Sequence, residues 1–304
     1  MNRLLPLAAC AVLAVGGCGG AWGTEQAAAD GRMPVTASIY PLQFAAERVG
    51  GDHVDVTLLT RPGTEPHDLE LTPKAVGRLA RSSAVVYLAG FQPAVDEAVA
   101  SQARDAAVDV SGAADLTLAA SDDHDDHASE GARDPHFWLD PQRMAAVATA
   151  LGEAFAERDP SNAAAYRANA TSLVADLDTL DAEFRDGLAR CASTDLVTSH
   201  AAFGYLAARY GLSQEGIAGI APDVEPNAAT IRDLTRHVRE TGATTVYAES
   251  LVSPALAETV ARETGARVTV LDPLEGLTDA SPGSDYLEVM RADLRTLREG
   301  QRCS

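Results

Sequence analysis

The stretch Asn162–Leu188, NAAAYRANATSLVADLDTLDAEFRDGL, decides the fold of this chain. Its apolar positions Tyr166, Ala170, Leu173, Leu177, Leu180, Phe184 and Leu188 recur at steps of three or four, the period of one face of an α-helix. The turn signal Asp159-Pro160-Ser161 opens the pattern, and no glycine interrupts it before Gly187. The spacing predicts one long, rigid, amphipathic helix. On either side of it, apolar and β-branched runs alternate with helical patterns, which implies βαβ units and parallel sheets. Strands are predicted at Val35–Ile39, Val54–Leu59, Ala84–Ala89 and Ala107–Val110 before the helix. After it they are predicted at Leu196–Thr198, Ile217–Ile220, Thr244–Ala248 and Arg267–Leu271. The count fits an α/β protein of two lobes, residues 34–160 and 190–304, each a mostly parallel sheet flanked by helices. Residues 161–189 form the linking helix. No period of roughly 20 to 50 residues stands out, so a solenoid is not expected.

Composition bounds the function. A chain of 304 residues with 46% hydrophobic content supplies one large core or two ordinary ones, so disorder is not the default. The formal net charge of -20, with Lys74 the only lysine, argues against nucleic-acid binding, which needs clustered cationic side chains. An acidic surface suits a cation as ligand, and equally suits solubility alone.

The N-terminus has the shape of a secretory signal: Arg3, then the apolar run Leu4–Val15, then small residues up to Cys18. The run is too short to span a bilayer as a retained helix. Val15-Gly16-Gly17-Cys18 resembles a bacterial lipobox, which would make Cys18 the acylated first residue of the mature chain. Leu7-Ala8-Ala9-Cys10 fits that pattern better but leaves a truncated apolar core ahead of it. A signal cleaved without lipidation is the alternative, leaving the protein periplasmic rather than anchored at the outer face of the cytoplasmic membrane. Residues 19–33 are rich in Gly and Ala without periodicity and read as a flexible tether. With Cys10 removed and Cys18 assigned to lipid, Cys191 and Cys303 remain, and an exported pair is expected to be oxidised. Their disulfide would close a loop of about 112 residues, worth ~4 to 5 kcal/mol in the chain-entropy model. Two free thiols acting as metal ligands are the weaker alternative, because the pair lacks CxxC spacing.

Three histidines stand in loop contexts. His67 lies in Arg61-Pro62-Gly63-Thr64-Glu65-Pro66-His67 after the strand ending at Leu59; His200 follows Leu196–Thr198; Asp272 follows Leu271. These are carboxyl ends of strands, where open α/β sheets place their ligands. His136 lies in Asp134-Pro135-His136-Phe137-Trp138-Leu139-Asp140-Pro141, restricted by two prolines and beside two aromatics. Singly, each histidine is more often a hydrogen-bonded loop residue. Together with Asp272 they make three imidazoles and one carboxylate, a transition-metal donor set.

The segments Glu65-Pro66-His67-Asp68-Leu69-Glu70, Asp134-Pro135-His136-Phe137-Trp138-Leu139-Asp140-Pro141, Thr198-Ser199-His200-Ala201-Ala202-Phe203-Gly204-Tyr205-Leu206-Ala207 and Leu271-Asp272-Pro273-Leu274 resemble, in order, the four signature regions of zinc/manganese solute-binding proteins of ABC importers (cluster A-I). The resemblance implies two α/β lobes bridged by a long helix, metal held in the cleft, and delivery to a membrane permease with its ATPase. It carries the metal ligands onto His67, His136, His200 and Asp272. Histidine rather than glutamate at the third position, here His200, goes with the family's zinc branch. The donor chemistry agrees, since imidazoles suit zinc and manganese prefers oxygen. Zinc is therefore the expected cargo, with a manganese-binding member of the same family as the alternative.

Further expectations attach to this reading. Glu249 ends its predicted strand as the ligands do and is a candidate to support them rather than ligate directly. Asp122-Asp123-His124-Asp125-Asp126-His127 resembles the longer His-rich loop of zinc-specific members, so His124 and His127 are candidates for weak metal capture, against a plain solvated loop. His53 and His237 have no comparable context, and a monomer is expected. A zinc-dependent hydrolase is the rival class, needing an open coordination position and a base such as Glu249 or Glu65. HExxH, GxSxG and P-loop patterns are missing, and no catalytic residue is assigned.

Overall fold

Parallel sheets covered on both faces demand nearly continuous apolar strands, and the buried run Ala84-Val85-Val86 is of that kind. In the computed structural model, which describes residues 31–120, 133–222 and 227–304, this run lies at the centre of the first of two four-stranded sheets. The expected signal, Cys18 and most of the tether, and the histidines His124 and His127, lie outside the described residues.

The first lobe runs β1 (Met33–Ala37), α1 (Tyr40–Gly50), β2 (Val54–Leu58), α2 (Pro73–Leu79), β3 (Ala84–Tyr87), α3 (Pro93–Gln102), β4 (Ala107–Asp109) and α4 (Ser111–Ala114). Two long helices follow, α5 (Pro141–Arg158) and α6 (Ala163–Leu188). The second lobe runs β5 (Asp195–Thr198), α7 (Gly204–Tyr210), β6 (Ser213–Gly216), α8 (Ala228–Thr241), β7 (Thr245–Ala248), α9 (Ala255–Thr264), β8 (Arg267–Val270) and α10 (Tyr286–Gly300). Within the two sheets the strands pair in parallel, and the sheets repeat one topology: β2-β1-β3-β4 and β6-β5-β7-β8. Reversal of strand order at β1 and at β5 opens a crevice at the carboxyl edge of each sheet.

One strand differs from expectation. Ile217–Ile220 was expected as a strand, but β6 is the polar Ser213-Gln214-Glu215-Gly216, paired from Asp195↔Ser213 to Thr198↔Gly216. An edge strand needs only its backbone ladder and takes exposed polar side chains. Ile217 instead begins the loop beyond the sheet, where it is buried against Val197 and Val246.

Helix α6 presents Tyr166, Ala170, Leu173, Leu177, Leu180, Phe184 and Leu188 to the interior, as its period dictates. Its packing on α5 is close: a Cβ at Gly152 would lie 2.8 Å from Ala170 Cβ, so only glycine admits this approach. The helix joins the two lobes, since the apolar cluster around it includes Val35 and Leu42 from the first and Leu196, Leu206 and Leu271 from the second. A disulfide links Cys191, just past α6, to Cys303, just past α10, and staples the chain end to the start of the second lobe. Among the described residues no helix is long and apolar enough to cross a membrane.

Candidate metal centre

Four loops meet in the cleft between the lobes. His67 comes from the loop after β2, His136 from the turn leading into α5, His200 from the turn after β5, and Glu275 from the loop after β8. Glu275 Oε1 stands 3.1 Å from His67 Nε2, 3.1 Å from His136 Nε2 and 3.4 Å from His200 Nε2. His136 Nε2 is 3.3 Å from His67 Nε2 and 3.5 Å from His200 Nε2. Donors held ~2.0 to 2.1 Å from a tetrahedral zinc stand about 3.3 to 3.4 Å apart, and these five separations lie close to that edge length. His136, His200 and Glu275 are fully buried, and His67 keeps 9% of its side chain exposed, which makes it the outermost donor. Phe91 packs edge-on against His67 and Trp138 against His136, walling the cluster with apolar surface.

The carboxylate in this cluster is a correction to the sequence expectation. Asp272 was expected as the fourth donor, but its oxygens are engaged elsewhere: Oδ1 accepts from Leu274 N at 2.8 Å and Oδ2 from Ser250 Oγ at 3.0 Å. The chain turns through Leu274 and brings in Glu275, three residues on, whose Oε2 is buried without a hydrogen-bond partner among the described residues. Leu-Asp-Pro-Leu-Glu carries both carboxylates in one short loop, so the only sequence signal for Glu275 was its nearness.

Two of the imidazoles are oriented from behind. His136 Nδ1 lies 2.8 Å from Asp134 Oδ1, which also accepts the His136 backbone N–H at 2.9 Å. His200 Nδ1 lies 2.7 Å from Glu249 Oε1, which accepts the His200 N–H at 2.9 Å. A carboxylate on Nδ1 puts the proton there and turns the Nε2 lone pair toward the cluster. Glu249 is buried and stands behind His200 rather than in the donor set. Asp134 was visible in the quoted motif but had no assigned task. The His136 and Glu275 segments are themselves tied, since Trp138 Nε1 donates to Pro273 O at 2.8 Å inside the core.

The electrostatics are those of a site made for positive charge. Burial disfavours the His200 imidazolium, yet Glu249 and Glu275 outweigh it and raise that group well above its usual range. Burial likewise opposes the charged form of His136, and Asp134 with Glu275 overcomes it to raise the group. For His67 burial wins and the imidazole is lowered. Glu275 would be raised by burial, but the surrounding imidazoles, His200 first, hold it well below the carboxylate range.

Nearly the whole described chain matches one family: the model of ZnuA, the periplasmic zinc-uptake complex component A, covers residues 35–300. This chain belongs to the ZnuA family. The family is one of zinc-uptake components. Among curated relatives, the zinc-binding protein AdcA of Streptococcus pyogenes is 34% identical over 293 residues, covering 90% of this chain and 57% of AdcA. The chain thus spans little more than half the length of that relative. The high-affinity zinc uptake system protein ZnuA of Bacillus subtilis is 32% identical over 310 residues, covering 98% of this chain and 97% of its own. Among solved structures, the Zn(II)-bound ZnuA-like domain of Streptococcus pneumoniae AdcA superposes with a TM-score of 0.75 at 31% identity, covering 89% of this chain and 99% of that domain.

Proposed function

We propose that this ZnuA-family protein captures Zn2+ outside the cytoplasm and delivers it to the membrane permease of an ABC importer powered by its ATPase. The observation that carries the reading is the convergence of His67, His136 and His200 Nε2 on Glu275 Oε1 at 3.1 to 3.4 Å. Three neutral nitrogens and one oxygen suit zinc over manganese. With all four donors supplied by the protein, no coordination position is reserved for an activated water, which favours a carrier over a hydrolase. Cargo enters and leaves past His67, the most exposed donor. Acylation at Cys18 holds the carrier, as a monomer, at the membrane face where the permease works.

The test is a competitive titration of metal-stripped protein with Zn2+ and Mn2+, alongside His200→Ala. One tight zinc site, poorly displaced by manganese and weakened in the variant, is expected. Preference for manganese, or no tight site, overturns the assignment of cargo.

A further inference from the structure

Leu274 is a non-glycine residue in the left-handed region, at φ 60°, and it is fully buried. L-residues avoid this conformation, and one held there marks a backbone that its surroundings over-determine. The surroundings here begin with Asp272. Its Oδ1 accepts the Leu274 N–H at 2.8 Å, closing a turn of side chain on backbone two residues ahead. Asp272 is itself held at two further points: Oδ2 accepts from Ser250 Oγ at 3.0 Å, and its backbone N–H donates to Asp293 Oδ1 on α10 at 3.0 Å. Between the two residues, Pro273 O accepts the buried Trp138 N–H at 2.8 Å. The left-handed turn ends at Glu275, which enters the centre of the three imidazoles.

We propose that Asp272 is a positioning residue: its carboxylate holds Leu274 in the left-handed turn that aims Glu275 at the metal, and it does not itself ligate. This rests on the zinc-site reading above. Without the Asp272 acceptor, the Leu274 N–H loses its partner inside the core and the chain relaxes toward the right-handed or extended regions. Either relaxation swings the next side chain away from the imidazoles.

The experiment compares zinc affinity by competitive titration, and the visible spectrum of the Co2+-loaded protein, for the unaltered chain, Asp272→Ala, Asp272→Asn, Leu274→Gly and the double variant Asp272→Ala/Leu274→Gly. Asp272→Ala is expected to weaken zinc binding about 10- to 100-fold, the usual effect of losing a group that orients a ligand, and to alter the Co2+ bands. Asp272→Asn keeps an acceptor for Leu274 and is expected to bind within about fivefold of the unaltered chain; glycine tolerates positive φ, so the double variant recovers part of the loss. If Asp272→Asn falls as far as Asp272→Ala, the carboxylate is a ligand and the proposal fails. If Asp272→Ala melts at a lower temperature while its affinity and Co2+ spectrum are unchanged, the residue is merely structural and the proposal also fails. Failure of the unaltered chain to bind zinc tightly would instead refute the site itself.

Discussion

Glu249 Oε1 sits at ion-pair distance, 2.7 Å, from His200 Nδ1 and accepts the backbone N–H of the same histidine at 2.9 Å, so one buried oxygen touches both the ring and the chain of a donor residue. Glu249→Gln leaves a side chain of the same size but replaces a charged acceptor by a neutral one able to present an N–H to Nδ1. The His200 tautomer is then free to reverse. Zinc affinity is expected to fall about 10- to 100-fold with little change in secondary structure, measured by chelator competition and far-UV circular dichroism. An unchanged affinity would show that His200 needs no support from behind.

Zinc and protons compete for the same imidazole lone pairs, so affinity falls as pH falls. Because Glu249 and Glu275 outweigh burial and raise His200 above its ordinary 6.5, competition is expected to set in at a higher pH than an ordinary imidazole would give. The metal-free protein follows the opposite trend. A raised histidine contributes stability that is fully present below its unfolded value of 6.5 and is lost as pH rises through the folded value. Glu275, held below its ordinary 4.5, contributes stability present above that value and lost only at lower pH. Between those two limits both contributions stand. The rise in melting temperature on adding zinc should therefore be small near pH 5 and large near pH 8. An equal rise at both would contradict the three-imidazole site.

The Cys191–Cys303 bridge closes a long loop and fastens α10, the helix that supplies Asp293. Replacing both cysteines by serine is expected to lower unfolding free energy by ~2 to 4 kcal/mol, read from urea denaturation. Zinc affinity at low denaturant should change only a few-fold, because α10 is also anchored by buried Leu287, Met290 and Leu297. Loss of zinc binding in the folded variant would mean that the bridge sets the register of the Asp272 turn.

How far the sequence reaches can be judged from particular residues. The period of α6 and the apolar cores of β1, β3, β5 and β7 are visible because burial on one helical face or on both sheet faces writes itself into local composition. His67 and His200 are legible because each sits in a short motif after an apolar run, and His136 because two prolines and two aromatics flank it. The edge strand β6 is not, since a polar Ser-Gln-Glu-Gly segment earns its place through pairing with β5, a contact between distant residues. The choice of Glu275 over Asp272 is not legible either. It depends on a left-handed turn at a leucine, a residue type that gives no hint of positive φ.

Side chains from both lobes pack with Leu173, Leu177, Leu180 and Phe184 of α6 in one continuous core. Each lobe also has a smaller cluster of its own, around Leu79 and Val85 in the first and around Val246 and Val260 in the second, but the largest core spans both, so the chain should unfold in one cooperative transition. Leu177→Ala removes a fully buried side chain at the centre of α6 and is expected to cost ~2 to 5 kcal/mol. It should shift the whole transition, with fluorescence of the buried Trp138 and helical circular dichroism remaining coincident. Two separated transitions would show the lobes to be independent. The same shared core also opposes a wide hinge, so scattering from metal-free and zinc-loaded protein should give closely similar radii of gyration; a large compaction on loading would show that α6 bends.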